Sequence, residues 1–115
     1  MDRKVEISML CQIYGNLLTE KQFELLDDYY NNDLSLSEIA ENNGITRQAV
    51  RDNLKNGEKN LLEFEEKLNL LKFNNIREEK VNNLLKNIDK INLNNLETNL
   101  KNELEDIKLK LKEII

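Results

Sequence analysis

Six polar side chains near the middle of this 115-residue chain could act together: Thr46, Arg47, Gln48, Arg51, Lys55 and Lys59. Arginine presents two N–H donors that match the O6 and N7 acceptors of guanine, and glutamine offers a donor–acceptor pair that matches adenine. Arg47, Arg51, Lys55 and Lys59 recur every four residues, which on a helix reads as one basic stripe of the kind a phosphate backbone attracts. This is the chemistry of recognition, not of bond-making. The chain has no histidine, which excludes imidazole acid–base catalysis and histidine metal ligation, and its single Cys11 cannot build a thiolate zinc site. Neither a phosphate-cradling GxxxxGK[ST] run nor a GxGxxG run is present. The carboxylates are scattered at spacings that suit a solvated helix face. The expectation is therefore no enzyme, no cofactor, no metal and no small-molecule ligand.

The elements that must position these side chains lie in LSLSEIAENNGITRQAVRDNL, Leu34 to Leu54. Ser35 and Ser37 are candidate N-caps, since a serine oxygen can accept from free backbone N–H groups at a helix start. A first helix is expected from about Ser37 to Asn43, with Ile39 and Ala40 facing inward. Gly44 follows, and glycine adopts the positive φ that reverses a chain after a helix without steric cost. Ile45 fills the angle, Thr46 caps again, and Arg47, Gln48, Ala49, Val50 and Arg51 open a second helix anchored by Val50 and Leu54. Small Ala40 lets the two helices cross closely. This is a helix-turn-helix with a polar head on its second helix.

Composition agrees with an all-α chain. Hydrophobic residues make up 39% and charged residues 34%, with three glycines and no proline to stop a helix. Cys11 lies in the apolar run MLCQIY and reads as a small buried hydrophobe. No basic-plus-apolar leader opens the chain, and no apolar run approaches the ~20 residues of a membrane span, so a cytoplasmic protein is expected.

Around the central motif, apolar residues from Val5 to Leu18 give an imperfect helical pattern that Gly15 and Asn16 end or loosen. Thr19 caps the next helix, with Gln22 placed for a capping box. That helix carries Phe23, Leu25, Leu26, Tyr29 and Tyr30, and an outer face of Glu24, Asp27 and Asp28. Beyond Arg51 the helix has no evident stop and continues through Leu61, Phe64, Leu68 and Leu71, with Gly57 inside it as a bend or a close contact. A break is expected from Phe73 to Asn75. Residues 1–73 are thus read as the helix-turn-helix domain and 74–115 as a helical extension. The extension shows two stripes, Val81–Leu84–Ile88–Ile91 and Leu96–Leu100–Leu104–Ile107–Leu111–Ile114, with a turn at Asn92 to Asn95. It would form a helical hairpin or a dimerisation element, and a homodimer is expected.

The run from Leu17 to Leu68 resembles the promoter-recognition region 4 of bacterial sigma factors, in Leu18–Gln22, Leu36–Ala40 and the turn Gly44–Thr46. It is still more similar to the YlxM family of small bacterial helix-turn-helix proteins, through YGNLLTEKQ at Tyr14–Gln22 and ITRQAVRDNLK at Ile45–Lys55. That resemblance covers roughly the first seventy residues and carries no catalytic residue. It implies a sigma-factor region 4-like fold and a regulatory role linked, through gene neighbourhood, to the signal recognition particle pathway of protein targeting.

Charge divides the possible functions. Residues 1–73 hold nine Lys/Arg and fourteen Asp/Glu, whereas the extension is balanced at eight of each. DNA-binding domains are usually basic, because phosphate neutralisation supplies much of the affinity. Two readings follow. One is a dimeric DNA-binding regulator in which Arg47, Gln48 and Arg51 read bases and Lys55 and Lys59 extend the contact. The other is an interaction module that modulates the signal recognition particle GTPase without touching DNA. A purely architectural helical dimer ranks third.

Overall fold

Helices in the first part of the chain begin wherever a short polar side chain can take up a free backbone N–H. In the computed structural model, which describes residues 2–91 and 97–115, Asp2 caps α1 (Arg3–Tyr14) and Thr19 caps α2 (Glu20–Tyr30). Ser35 caps α3 (Leu36–Asn43) and Thr46 caps α4 (Arg47–Leu68). Two further helices follow, α5 (Leu70–Asp89) and α6 (Thr98–Ile114). A 3₁₀ turn at Gly15–Leu17 ends α1 where the glycine was expected to loosen it. Among the described residues there are six α-helices and no strand, so the fold is all-α. Of the two serines it is Ser35 that caps, and α3 starts one residue earlier than expected. Its capping box closes in both directions: Glu38 N–H donates to Ser35 Oγ and Ser35 N–H to Glu38 Oε1, each at 3.1 Å.

The chain divides into two compact units, Met1–Leu71 and Lys72–Ile115. In the first, α4 is the element against which α1, α2 and α3 all pack. Each helix contributes an apolar stripe to one core: Ile7, Leu10, Cys11 and Tyr14 from α1, Leu25 and Leu26 from α2, Ile39 and Ala40 from α3, and Val50, Leu54 and Leu61 from α4. Burying a large aliphatic side chain stabilises by about 1.5–3 kcal/mol, so this cluster, not helix propensity, holds the unit together.

Gly57 lies inside α4 and is a close contact, not a bend. A Cβ there would stand 2.7 Å from Leu26 Cδ1. Two effects oppose each other in Gly57→Ala. Helix propensity favours alanine by about 1 kcal/mol, while overpacking a filled core costs about 1–3 kcal/mol. Leu26 is fully buried and has no solvent to retreat into, so overpacking wins. Gly57→Ala is expected to lose roughly 1 kcal/mol in urea unfolding, with the helical circular dichroism signal unchanged.

The expected break at Phe73–Asn75 is not there. α4 ends earlier, at Leu68, where Asn69 turns left-handed (φ 56°) and its N–H reaches Glu65 O at 2.8 Å. A short amide side chain tolerates this conformation better than most, which makes asparagine the usual substitute for a C-terminal glycine. α5 then runs unbroken through residues 73–75, with Arg77 donating to Asn74 Oδ1 at 2.9 Å.

In the second unit, Val81 is buried, whereas Leu84, Ile91, Leu100, Ile107 and Ile114 are close to half exposed and α6 has no buried residue. Lys108 pairs with Asp89 at 2.8 Å, bringing the middle of α6 to the end of α5. Lys110 pairs with Asp106 one turn away, also at 2.8 Å. The turn expected at Asn92–Asn95, and Leu96 after it, lie outside the described residues. No described helix is long and apolar enough to cross a membrane.

Candidate nucleic-acid interface

The turn between α3 and α4 is closed by backbone hydrogen bonds that only a left-handed residue permits. Gly44 sits at φ 64°, its N–H reaching Glu41 O at 3.3 Å, while Ile45 N–H reaches Ala40 O at 3.1 Å. These two bonds are the paired C-terminal closure of a helix. Ile45 is half-buried against the core, Ala40 lies in the crossing, and Thr46 Oγ1 accepts from Ala49 N–H at 3.0 Å to start α4. The helix-turn-helix expected from the spacing is present.

All six singled-out residues are exposed: Thr46, Arg47, Gln48, Arg51, Lys55 and Lys59. Arg47 donates to Ser37 Oγ at 3.4 Å, a long contact tying the head of α4 to the first turn of α3. Gln48 donates through Nε2 to Asp52 Oδ1 at 2.9 Å. A carboxylate only accepts, so the amide nitrogen faces Asp52 and the carbonyl oxygen of Gln48 is turned away. Among the described residues neither Arg47 nor Arg51 is ion-paired. Lys59 and Glu63, one turn apart on α4, form no ion pair among the described residues.

The basic residues do not share one flat face. A step of four residues overshoots a helical turn by about 40°, so Lys59 has wound roughly 120° around α4 from Arg47. Gln48 and Asp52 stand roughly opposite the buried line of Val50, Leu54 and Leu61, whereas Arg51 lies about 90° from it, on a flank. The structure divides the stripe accordingly. Arg51 lines a groove with Tyr29, Tyr30 and Leu36, Lys59 lines a different one with Arg3, Leu62 and Glu63, and Lys55 borders both.

Three tyrosine features were not legible in the sequence. Tyr30 donates to Glu58, which also pairs with Arg3 at 3.7 Å. Burial first, and the Glu58 hydrogen bond second, raise the Tyr30 phenol well above its ordinary range. Tyr29 meets Tyr30 edge to face with ring centroids 5.0 Å apart. Tyr14, fully buried, donates to Glu65 Oε1 at 2.6 Å and accepts from Leu70 N–H at 3.1 Å, while Leu71 N–H donates to the same Glu65 oxygen at 3.0 Å. The partners of Tyr14 lie more than fifty positions away, and no local pattern announces such a link.

An all-α core that presents an exposed, polar-headed helix after a glycine turn defines the helix-turn-helix class. Comparison with known proteins agrees: the family model described as "Putative helix-turn-helix protein, YlxM / p13 like" matches residues 1–103. The chain belongs to this family, UPF0122. It is 48% identical over 101 residues to a UPF0122 protein of Fusobacterium nucleatum, covering 87% of this chain and 97% of the relative. It is 51% identical over 85 residues to one from Malacoplasma penetrans, covering 70% and 79%. Against one from Clostridium perfringens strain 13 it is 45% identical over 119 residues, covering 100% and 98%. This last alignment takes in the extension, which the resemblance read from the motifs alone did not reach.

Proposed function

We propose that this protein is a DNA-binding regulator whose helix α4 enters the major groove, with Thr46, Arg47, Gln48 and Arg51 at its head. One observation carries the reading: Thr46, Arg47, Gln48 and Arg51 at the head of α4 are exposed, and both arginines stand without a carboxylate partner among the described residues. In helix-turn-helix proteins the N-terminal side chains of the second helix are the ones that meet base edges. The sigma-factor region 4-like arrangement of α2, α3 and α4 belongs to this proposal. So does a cytoplasmic homodimer that uses the half-exposed apolar residues of α6 and sets two α4 heads about one DNA turn (~34 Å) apart.

A second reading has its own support. The excess of five acids over residues 1–73 works against a polyanion and favours a basic protein partner. The resemblance to the YlxM family makes the signal recognition particle GTPase the partner to try, with this protein as its modulator.

Retention on a pool of random duplex DNA at low salt separates the two. The DNA reading expects binding that weakens steeply as salt rises and is lost in the Arg47→Ala, Arg51→Ala double variant, with folding verified by circular dichroism. Wild-type protein that ignores DNA at low salt while co-eluting with the targeting GTPase sinks it.

A further inference from the structure

A groove of about 250 Å³ runs along the flank of α4, between that helix and the end of α2. Its donors outnumber what the protein itself can satisfy. Arg51 and Lys55 line it without an ion pair among the described residues, and the Tyr29 hydroxyl beside them has no hydrogen-bond partner among those residues. The single carboxylate in the lining, Glu58, is already engaged, accepting from Tyr30 and pairing with Arg3 at 3.7 Å. Leu36 and Leu54 add apolar surface to the lining.

Arg51, Lys55 and Tyr29, lining one small concavity, carry donors that match the oxygens of a phosphate group. The groove is too small for the 300–1,000 Å³ typical of a small-molecule site. It also sits at the side of α4, roughly a quarter-turn from the face that carries Gln48 and Asp52. We infer that this groove seats one backbone phosphodiester of bound DNA, held by Arg51, Lys55 and the Tyr29 hydroxyl, so that base reading falls to Gln48. The inference rests on the DNA-binding reading and revises the role of Arg51 within it, from reader to anchor. Phosphate contacts fix register and supply salt-dependent affinity, whereas base contacts supply preference.

The test compares single variants of the full chain on random duplex libraries across a salt series. Arg51→Ala and Lys55→Ala are each expected to weaken every sequence alike, roughly three- to tenfold at 50 mM salt, and to reduce the salt slope by about one. Tyr29→Phe is expected to weaken binding with the slope intact, because a neutral donor releases no counterion. Gln48→Ala is expected to change base preference instead. Arg51→Ala that shifts preference at one base position with an unchanged slope overturns the assignment, as does Tyr29→Phe with wild-type affinity. Inorganic phosphate is the second probe. Saturating amide shifts at Tyr29, Arg51 and Lys55 that do not compete with duplex place a free anion there and also overturn it. Wild-type protein that binds no duplex removes the DNA reading itself, an outcome distinct from binding in which Arg51 proves to be a reader.

Discussion

Glu65→Ala is expected to lower the stability of the first unit by about 2–4 kcal/mol, because it orphans two donors at once. The Glu65 carboxylate accepts from Tyr14 Oη at 2.6 Å and from Leu71 N–H at 3.0 Å. Tyr14 is 1% exposed, so its hydroxyl cannot turn to bulk water when Glu65 is lost. Leu71 N–H belongs to the first turn of α5, where no preceding helical carbonyl is available. The same carboxylate therefore serves as the cap of α5, although it comes from the last turn of α4. Tyr14→Phe is expected to cost somewhat less, about 1–3 kcal/mol, since it leaves Leu70 N–H without its acceptor while Glu65, a charged acceptor, keeps its bond to Leu71. The double variant should cost less than the two singles added together, because the shared hydrogen bond is lost only once. Urea unfolding of the four proteins gives the coupling. Strict additivity would show that Tyr14 and Glu65 act independently.

The second large effect is alkaline. Burial, and the nearby Asp27 charge after it, push the Cys11 thiol up from 9.0 to about 11. Between these values the unfolded chain has released its thiol proton while the folded chain keeps it. Stability is therefore fully present below pH 9.0 and falls as pH rises toward about 11, for a total on the order of 2 kcal/mol. Tyr14 and Tyr30 act in the same direction, each raised chiefly by burial and then by a glutamate hydrogen bond. Their contribution begins only above their ordinary 10.0. Cys11→Ala separates the groups. Its urea midpoint should stay level between pH 9 and 10, where the wild type already declines. A wild-type midpoint that is flat up to pH 11 would mean the thiol ionises no less readily in the fold than in the open chain. Alkylation of native protein at pH 8 should be correspondingly slow, since the sulfur is 1% exposed and protonated.

Local chemistry was readable wherever the determinant and its effect lie within a few residues of each other. The caps Thr19, Ser35 and Thr46, the left-handed Gly44 and the inward Ile39, Ala40, Val50 and Leu54 all depend on dihedrals, short hydrogen bonds and helical periodicity. So did the family, which is carried by contiguous motifs around Tyr14–Gln22 and Ile45–Lys55. The expected break at Phe73–Asn75 was misplaced for a definable reason. Asparagine can end a helix or sit inside one, and at Asn69 the break coincides with a tertiary contact, Glu65 accepting from the Leu71 N–H of the helix that follows.

What the sequence by itself determined is therefore the helices up to the start of α4, the reversal between α3 and α4, and the polar head that this reversal exposes, because each is a short-range consequence of backbone preference and hydrophobic spacing. Only the tertiary structure decided which groups share a site. It placed Tyr29 beside Arg51 and Lys55, engaged Glu58 with Tyr30 and Arg3, and joined Tyr14 to Glu65. Those pairings join residues from 22 to 55 positions apart, brought together by burial of a common core. Burial fixes where a helix lies, and only then can a distant side chain find its partner.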